Sequence, residues 1–416
     1  MKKHFVEKLF LFFLCCIPYF LIISIQISNG LIIGLLAISI ILFFKKGLHF
    51  DYRKFLFLGI PFWIGCLGLI YSSNFKVGLS IMETRAPIFL FPLVFSLVTP
   101  NQQDRVVFLR NFVASLVLTF VVLFVIAVYR NYLDPWTDIW FNQWYYHYDN
   151  LTEPIDIQPL YLSLFVSLGL VVVLLNHLGS LKVDVIPKRL RLVILSIFCV
   201  FLVMLGVRST LLITIFLIVL IFVRNKFVTK KKNLMIVGFI TISLIGMSIL
   251  SPVTSGRFKG LFKPQYSFSN YSLDRLIIWS VALNHIKSKP MKYVFGNGTG
   301  TSENVMHKLY KEQRINWDFE KKTNTHNQFL EFTLDTGYFG AAILILYLVI
   351  LFSRFYSSQN RIGELFVVLM LLAMISENYL NRQKGVVFFS LFLSLLAFEK
   401  DSEPSESGAK RIQSEL

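Results

Sequence analysis

The chain has 416 residues, 55% of them hydrophobic and only 16% charged, with a formal net charge of +17 and a mean hydropathy of +0.63. Soluble domains carry about 25% charged residues, and here apolar runs recur along the whole length, which excludes a soluble enzyme with a single membrane tag. The basic residues sit mainly between those runs, where they orient spans and meet anionic headgroups, so nucleic acid is excluded as their partner.

Lys2 and Lys3 ahead of an apolar stretch imitate a signal peptide. No small-residue cleavage site follows and a second run opens at Leu31, so the segment reads as a retained first span; Leu14 before Cys15 also departs from a lipoprotein-type site. A span needs about 20 apolar residues for a ~30 Å hydrocarbon core, and shorter ones are tolerated by thinning. The runs predict an all-α polytopic membrane protein with about twelve spans, near 9–27, 30–44, 54–71, 86–99, 112–129, 159–177, 190–206, 209–223, 234–250, 330–352, 362–377 and 386–398. Twelve spans put both termini on one side. Lys45, Lys46, Arg53 and Lys54, then Lys182, Lys188, Arg189 and Arg191, then Arg224, Lys226 and Lys230 to Lys232, all fall on the side of the N-terminal lysines, as a positive-inside pattern requires. The tail 399–416 is polar and expected to be disordered in the cytoplasm. Cys15, Cys16, Cys66 and Cys199 lie in apolar runs without a CxxC pair and read as small hydrophobes.

As one helix, 190–223 would be ~51 Å long at 1.5 Å per residue. Splitting it at Gly206–Ser209 makes two short spans with Arg208 at the outer tip and avoids an arginine in mid-bilayer, which costs ~2.5–3.5 kcal/mol or more. Two outer segments are long. In 130–158, Trp136, Trp140 and Trp144 form one helical stripe, either an interfacial anchor or a sugar-stacking face. The segment 251–329 is the one substantial non-membrane region, with helices expected at 273–288 and 302–313. No internal repeat of the transporter kind is present.

Between Arg257 and Lys322 that segment holds twelve Lys and Arg against five Asp and Glu, either a solvated basic surface or the seat of an anionic ligand. Arg275 opens a helix whose Leu276, Trp279, Leu283 and Ile286 recur at helical spacing; its guanidinium suits phosphate oxygens, or pairs with Asp274. Gly296, Gly298 and Gly300 in GNGTG make either a plain turn or a nest of N–H groups for phosphate; without a βαβ unit they are no dinucleotide fingerprint. His326, where the segment re-enters the membrane, is either a hydrogen-bonded bystander or a base for a hydroxyl proton. HExxH, GxSxG and acidic pairs at metal-binding spacing are missing, so neither metal nor cofactor is expected.

The run RLIIWSVALNHIKSKPMKYVFGNGTG followed by HNQFLEFTLDTGYFG resembles the loop of the O-antigen ligase/polymerase family of bacterial membrane glycosyltransferases. The matching positions are Arg275, Trp279, Pro290, Gly296, Gly298, His326, Asn327, Leu330, Glu331, Gly337 and Gly340. Span number, the large outer loop before the last three spans and Arg208 at a hairpin tip extend the likeness. One departure is Gln158-Pro159-Leu160-Tyr161, where members often carry His-Pro-x-Tyr.

The resemblance implies a multi-pass protein of the bacterial inner membrane with a periplasmic loop at 251–329 and cytoplasmic termini. The donor would be a glycan on undecaprenyl diphosphate, and the acceptor a hydroxyl of lipid A-core in a ligase or of another glycan in a polymerase. Arg208, Arg275 and Arg85 would bind the diphosphate, and His326 would prepare the acceptor hydroxyl for an inverting, metal-independent attack. Trp279, Asn327 and Tyr161 would position substrate. A lipid-linked glycan flippase is the alternative from another class, and a metal-dependent transferase with acidic residues in a large first outer loop is disfavoured by the few residues around Ser28–Gly30.

Overall fold

The computed structural model describes residues 2–134, 143–181, 183–224, 271–313 and 324–398, with isolated residues between 235 and 246. Among these every regular element is helical. Six helices are long and apolar enough to cross a membrane, and the pair Tyr52–Leu58 and Ile60–Ile70, bent by 63°, makes a seventh. The remaining expected spans coincide with shorter helices, Lys188–Leu205, Arg208–Arg224, Arg361–Ser376 and Gln383–Ala397. The expected span 234–250, the tail and the Trp136 and Trp140 part of the tryptophan stripe lie outside the described residues. The span expected at 86–99 starts earlier, because Phe75–Arg85 runs into Pro87–Leu97 as one crossing.

Pro159–His177 is the spine of the bundle. It is apolar on every side and almost wholly buried, as a helix without a polar face must be. Lys188–Leu205 and Arg208–Arg224 pack on it, separated at Gly206, whose φ of 59° ends the first of them. Ser163 hydrogen-bonds Thr210 at 3.0 Å and Ser167 meets Thr214 at 2.6 Å, so the spine and the 208–224 helix run parallel in register. Such polar contacts between spans contribute about 0.6 kcal/mol each.

The segment 271–313 has its own small core of Ile278, Ile286, Tyr293, Met306 and Tyr310, closed by Leu334. It joins helices Tyr271–Ser288 and Ser302–Glu312, close to the expected bounds, to the start of Gln328–Ser357. The docked face of the first helix overlaps the expected one only in part, with Trp279 and Ile286 turned inward. Ile278, Val281, Ala282 and Ile286 are buried, whereas Leu276 and Leu283 are exposed.

The GNGTG loop is a clamp rather than a phosphate nest. Gly296, Gly298 and Gly300 all take positive φ, and the N–H groups of Gly300, Thr301 and Ser302 converge on the buried carboxylate of Asp335 at 2.9–3.2 Å. An internal anion thus occupies the place a phosphate would take. The loop is also stitched to the end of the Ile60–Ile70 helix, with Thr299 N–H donating to Gly68 O at 3.0 Å and Ser72 Oγ donating to Thr299 O at 2.9 Å.

The clamp requires a break in the Gln328–Ser357 helix at Gly337, at φ 74° and ψ −175°. A Cβ there would overlap the carbonyl of Val294. Gly337→Ala should therefore destabilise the protein by about 3 kcal/mol or more from strain and overlap together. Thermal unfolding in detergent checks this, and a melting temperature equal to the parent's would contradict it.

Candidate active site

Three segments meet at one carboxylate. The helix Arg361–Ser376 ends as the backbone turns extended at Glu377, and Glu377 is nine-tenths buried. His326 sits just before the helix Gln328–Ser357 with a φ of 46°, held by its N–H donating to Asn324 Oδ1 at 3.0 Å. Its Nδ1 lies 2.9 and 3.1 Å from the two Glu377 oxygens. Arg275, on the helix Tyr271–Ser288, brings Nη2 to 3.8 Å from Glu377. The two residues singled out from the sequence as base and cation therefore share one acidic partner.

The geometry sets the imidazole's state. A carboxylate only accepts hydrogen bonds, so Nδ1 carries the proton that faces Glu377, and Nε2 is the nitrogen left to face a substrate. The Arg275 contact is an ion pair too long for a hydrogen bond, so among the described residues its N–H donors are not spent on Glu377. The His326 ring, the Asn378 N–H at 3.1 Å and the Arg275 guanidinium surround the Glu377 carboxylate.

Each residue expected to position substrate has a partner within the protein. Trp279, four residues after Arg275 and on the same helix face, donates Nε1–H to Thr325 O at 3.0 Å and so fixes the backbone beside His326. Asn327 caps the helix that follows, its Oδ1 accepting from Phe329 and Leu330 N–H at 3.0 and 3.1 Å. Replacing such a cap costs about 1 kcal/mol. Tyr161 is buried, with its ring edge-on to Tyr379 at 5.4 Å, two residues beyond Glu377.

Arg85 is placed differently from expectation. It is fully buried, donates Nε–H to Leu380 O at 3.2 Å and Nη2–H to Asn381 Oδ1 at 2.6 Å, and lies over the Phe332 ring. Its guanidinium holds the turn that carries Glu377 instead of opening on the site. Arg208 is half-buried at the start of its helix. The Ser163–Thr210 bond and the Tyr161–Tyr379 contact place it at the same end of the bundle as Glu377.

Glu377 and the network behind it escaped the sequence reading. Buried Glu331 accepts from Ser302 Oγ, from Thr325 Oγ1 at 2.8 Å, and from the Asn378 and Asn381 side-chain amides at 3.0 and 3.2 Å. A signal for Glu377 existed: it is the one acidic residue between 365 and 398, in the short polar turn between the last two runs. Among the described residues no three His, Cys, Asp or Glu side chains converge as metal ligands would.

Glu377→Gln, which keeps the size but removes the charge shared by His326 and Arg275, should melt below the parent in detergent at pH 7. A melting temperature equal to the parent's would show that the charge is not a source of stability.

Residues 192–345 match the family model described as O-antigen ligase. The match takes in Arg208, Arg275, Trp279, His326, Glu331 and Asp335, and leaves Arg85, Tyr161 and Glu377 outside. A Haemophilus influenzae protein described only as uncharacterized is 26% identical over 200 residues, covering 43% of this chain and 48% of that protein, so the match spans about half the relative's length. Residues 192–345, with the loop pattern they contain, are thus similar to the O-antigen ligase family, and the likeness covers a little over a third of the chain.

Proposed function

We propose that this protein transfers a glycan from undecaprenyl diphosphate to an acceptor hydroxyl at the periplasmic face of the bacterial inner membrane, as an O-antigen ligase acting on lipid A-core. The observation that carries the proposal is the convergence of His326 and Arg275 on Glu377, inside or beside the segment that matches the ligase model. The proposed topology keeps twelve spans with both termini cytoplasmic and 251–329 outside. The polymerase use of the same site remains an outcome of the test below.

In this scheme the acceptor oxygen attacks the anomeric carbon of the donor sugar and gives its proton to His326 Nε2. The bond from that carbon to the phosphate oxygen breaks on the opposite face, and undecaprenyl diphosphate leaves with the electron pair, so the anomeric centre inverts. Glu377 holds the imidazole in the tautomer that accepts at Nε2 and stabilises the imidazolium that forms, the role a buried carboxylate plays beside a catalytic histidine. Arg275 and Arg208 offset the charge that develops on the leaving diphosphate. Arg85 is assigned a different part from the one its sequence position suggested. It steadies the 380–381 turn from behind.

His326→Ala and Arg275→Ala should each lower transfer by about 100-fold or more, at unchanged protein level, in cells lacking the native copy. Gel analysis of surface glycans reads the result. Loss of all long chains on the lipid anchor, with lipid-linked polymer accumulating, identifies a ligase; a single repeat on the core identifies a polymerase; full activity removes the residue from the mechanism. The purified protein should keep its activity in EDTA, and loss restored by Mg2+ or Mn2+ would overturn the metal-free scheme.

A further inference from the structure

Away from the site, the turn 289–295 combines features that the transfer chemistry does not use. Met291 is 84% and Phe295 61% exposed, although both are large and apolar. They do not stand alone. The Phe295 ring meets Phe339 at 6.2 Å, and Tyr71 donates its hydroxyl to Phe295 O at 2.6 Å. Phe339 and Ile70 are themselves 57% and 80% exposed.

These neighbours belong to the outer ends of helices that can cross the membrane. Ile70 ends the bent pair, Phe75 begins the crossing Phe75–Leu97, and Phe339 lies two residues past the break in Gln328–Ser357. The turn is therefore continuous with the lipid-facing surface of three crossings. Its charge is of one sign: residues 284–300 contain Lys287, Lys289 and Lys292 and no acidic residue, and all three lysines are exposed. Exposed apolar side chains beside lysines, at the level where spans end, match the layer where acyl chains give way to headgroups.

We propose that this turn grips the outer leaflet, with Met291 and Phe295 entering the interfacial layer and Lys289 and Lys292 holding anionic phospholipid headgroups. The grip fixes more than the turn. Tyr293 packs in the small core beneath the helix that carries Arg275, and Gly296 leads directly into the loop that Asp335 holds. The lipid surface thus sets the height of the guanidinium and of the clamped loop against the bilayer. The inference is independent of the transfer reaction and stands whether or not the chain moves a glycan.

The test uses the full chain in lipid nanodiscs with an environment-sensitive thiol dye on Met291→Cys, the parent chain giving the background from its native cysteines. The expected result is blue-shifted emission, quenched by phospholipids brominated near the headgroup end of the acyl chain. Quenching should fall about twofold on omitting phosphatidylglycerol, or on Lys289→Glu with Lys292→Glu. Water-like emission that brominated lipid does not quench overturns the proposal. Quenching indifferent to phosphatidylglycerol and to charge reversal overturns the headgroup assignment. The readout needs no glycan, so failure of the transfer proposal leaves it interpretable.

Discussion

Two buried carboxylates hold the candidate site together. A carboxyl group is tolerated out of water only where hydrogen-bond partners surround it. Asp335 meets that demand with three consecutive backbone N–H groups of the glycine loop, and Glu331 with two hydroxyls and two side-chain amides. Both stand on the nine residues between Gln328 and the break at Gly337. One short helical segment therefore ties the outer segment, the residue before His326 and the turn after Glu377 to a single frame. Remove either set of donors and a buried carboxyl is left without partners.

What the frame delivers is a difference in how tightly the charged groups are held. Arg85 and the Glu331 and Asp335 carboxylates are buried and saturated by protein partners. His326 and Arg275 retain 27% and 31% side-chain exposure and are drawn together by Glu377 alone among their described acidic contacts. The fully buried groups are committed to the frame, and in the proposed scheme the partly exposed ones supply the chemistry. In the proposed topology the site also sits low. The helices on either side of Glu377 have 16 and 15 residues. At 1.5 Å per residue they rise about 24 and 22 Å, short of a ~30 Å core. Their connecting turn then lies beneath the outer boundary, at a depth a lipid-borne diphosphate reaches without leaving its leaflet.

The helices were legible because apolar runs and their basic flanks are one-dimensional signals, and most described helices begin or end within a few residues of the expected bounds. His326, Arg275 and Trp279 were legible because their pattern is contiguous in sequence. Glu377 was not, because its meaning depends on a partner 51 positions away, and being the one acidic residue of its turn does not name that partner. Arg85 misled for a related reason: a cation near the end of an apolar run reads the same from sequence whether it faces a substrate or a buried amide. The glycine loop misled because a nest of N–H groups has one chemistry for any anion, and the sequence does not say that the anion is internal. Helix-face periodicity failed in part on the Arg275 helix because apolar residues occur on both of its sides, and only tertiary packing selects Ile278 and Ala282 over Leu276 and Leu283.

The same accounting of partners separates an enzyme from a carrier. A transporter that moves a charged glycolipid needs ionisable groups along its path that exchange partners between two states. Buried cations in this chain are committed instead to backbone and to fixed carboxylates near helix ends. Arg191 donates to the Ile186 and Asn176 carbonyls, Arg224 pairs with Glu364, and Lys384 donates to the carbonyls of Ile22 and Asp156. Such contacts join neighbouring segments at the ends of the bundle and would have to break together for it to rock. The partly exposed His326 and Arg275 gather at one end and on one carboxylate. Among the described residues that arrangement, with the adaptable charges at one end, supports the proposed transferase over a carrier.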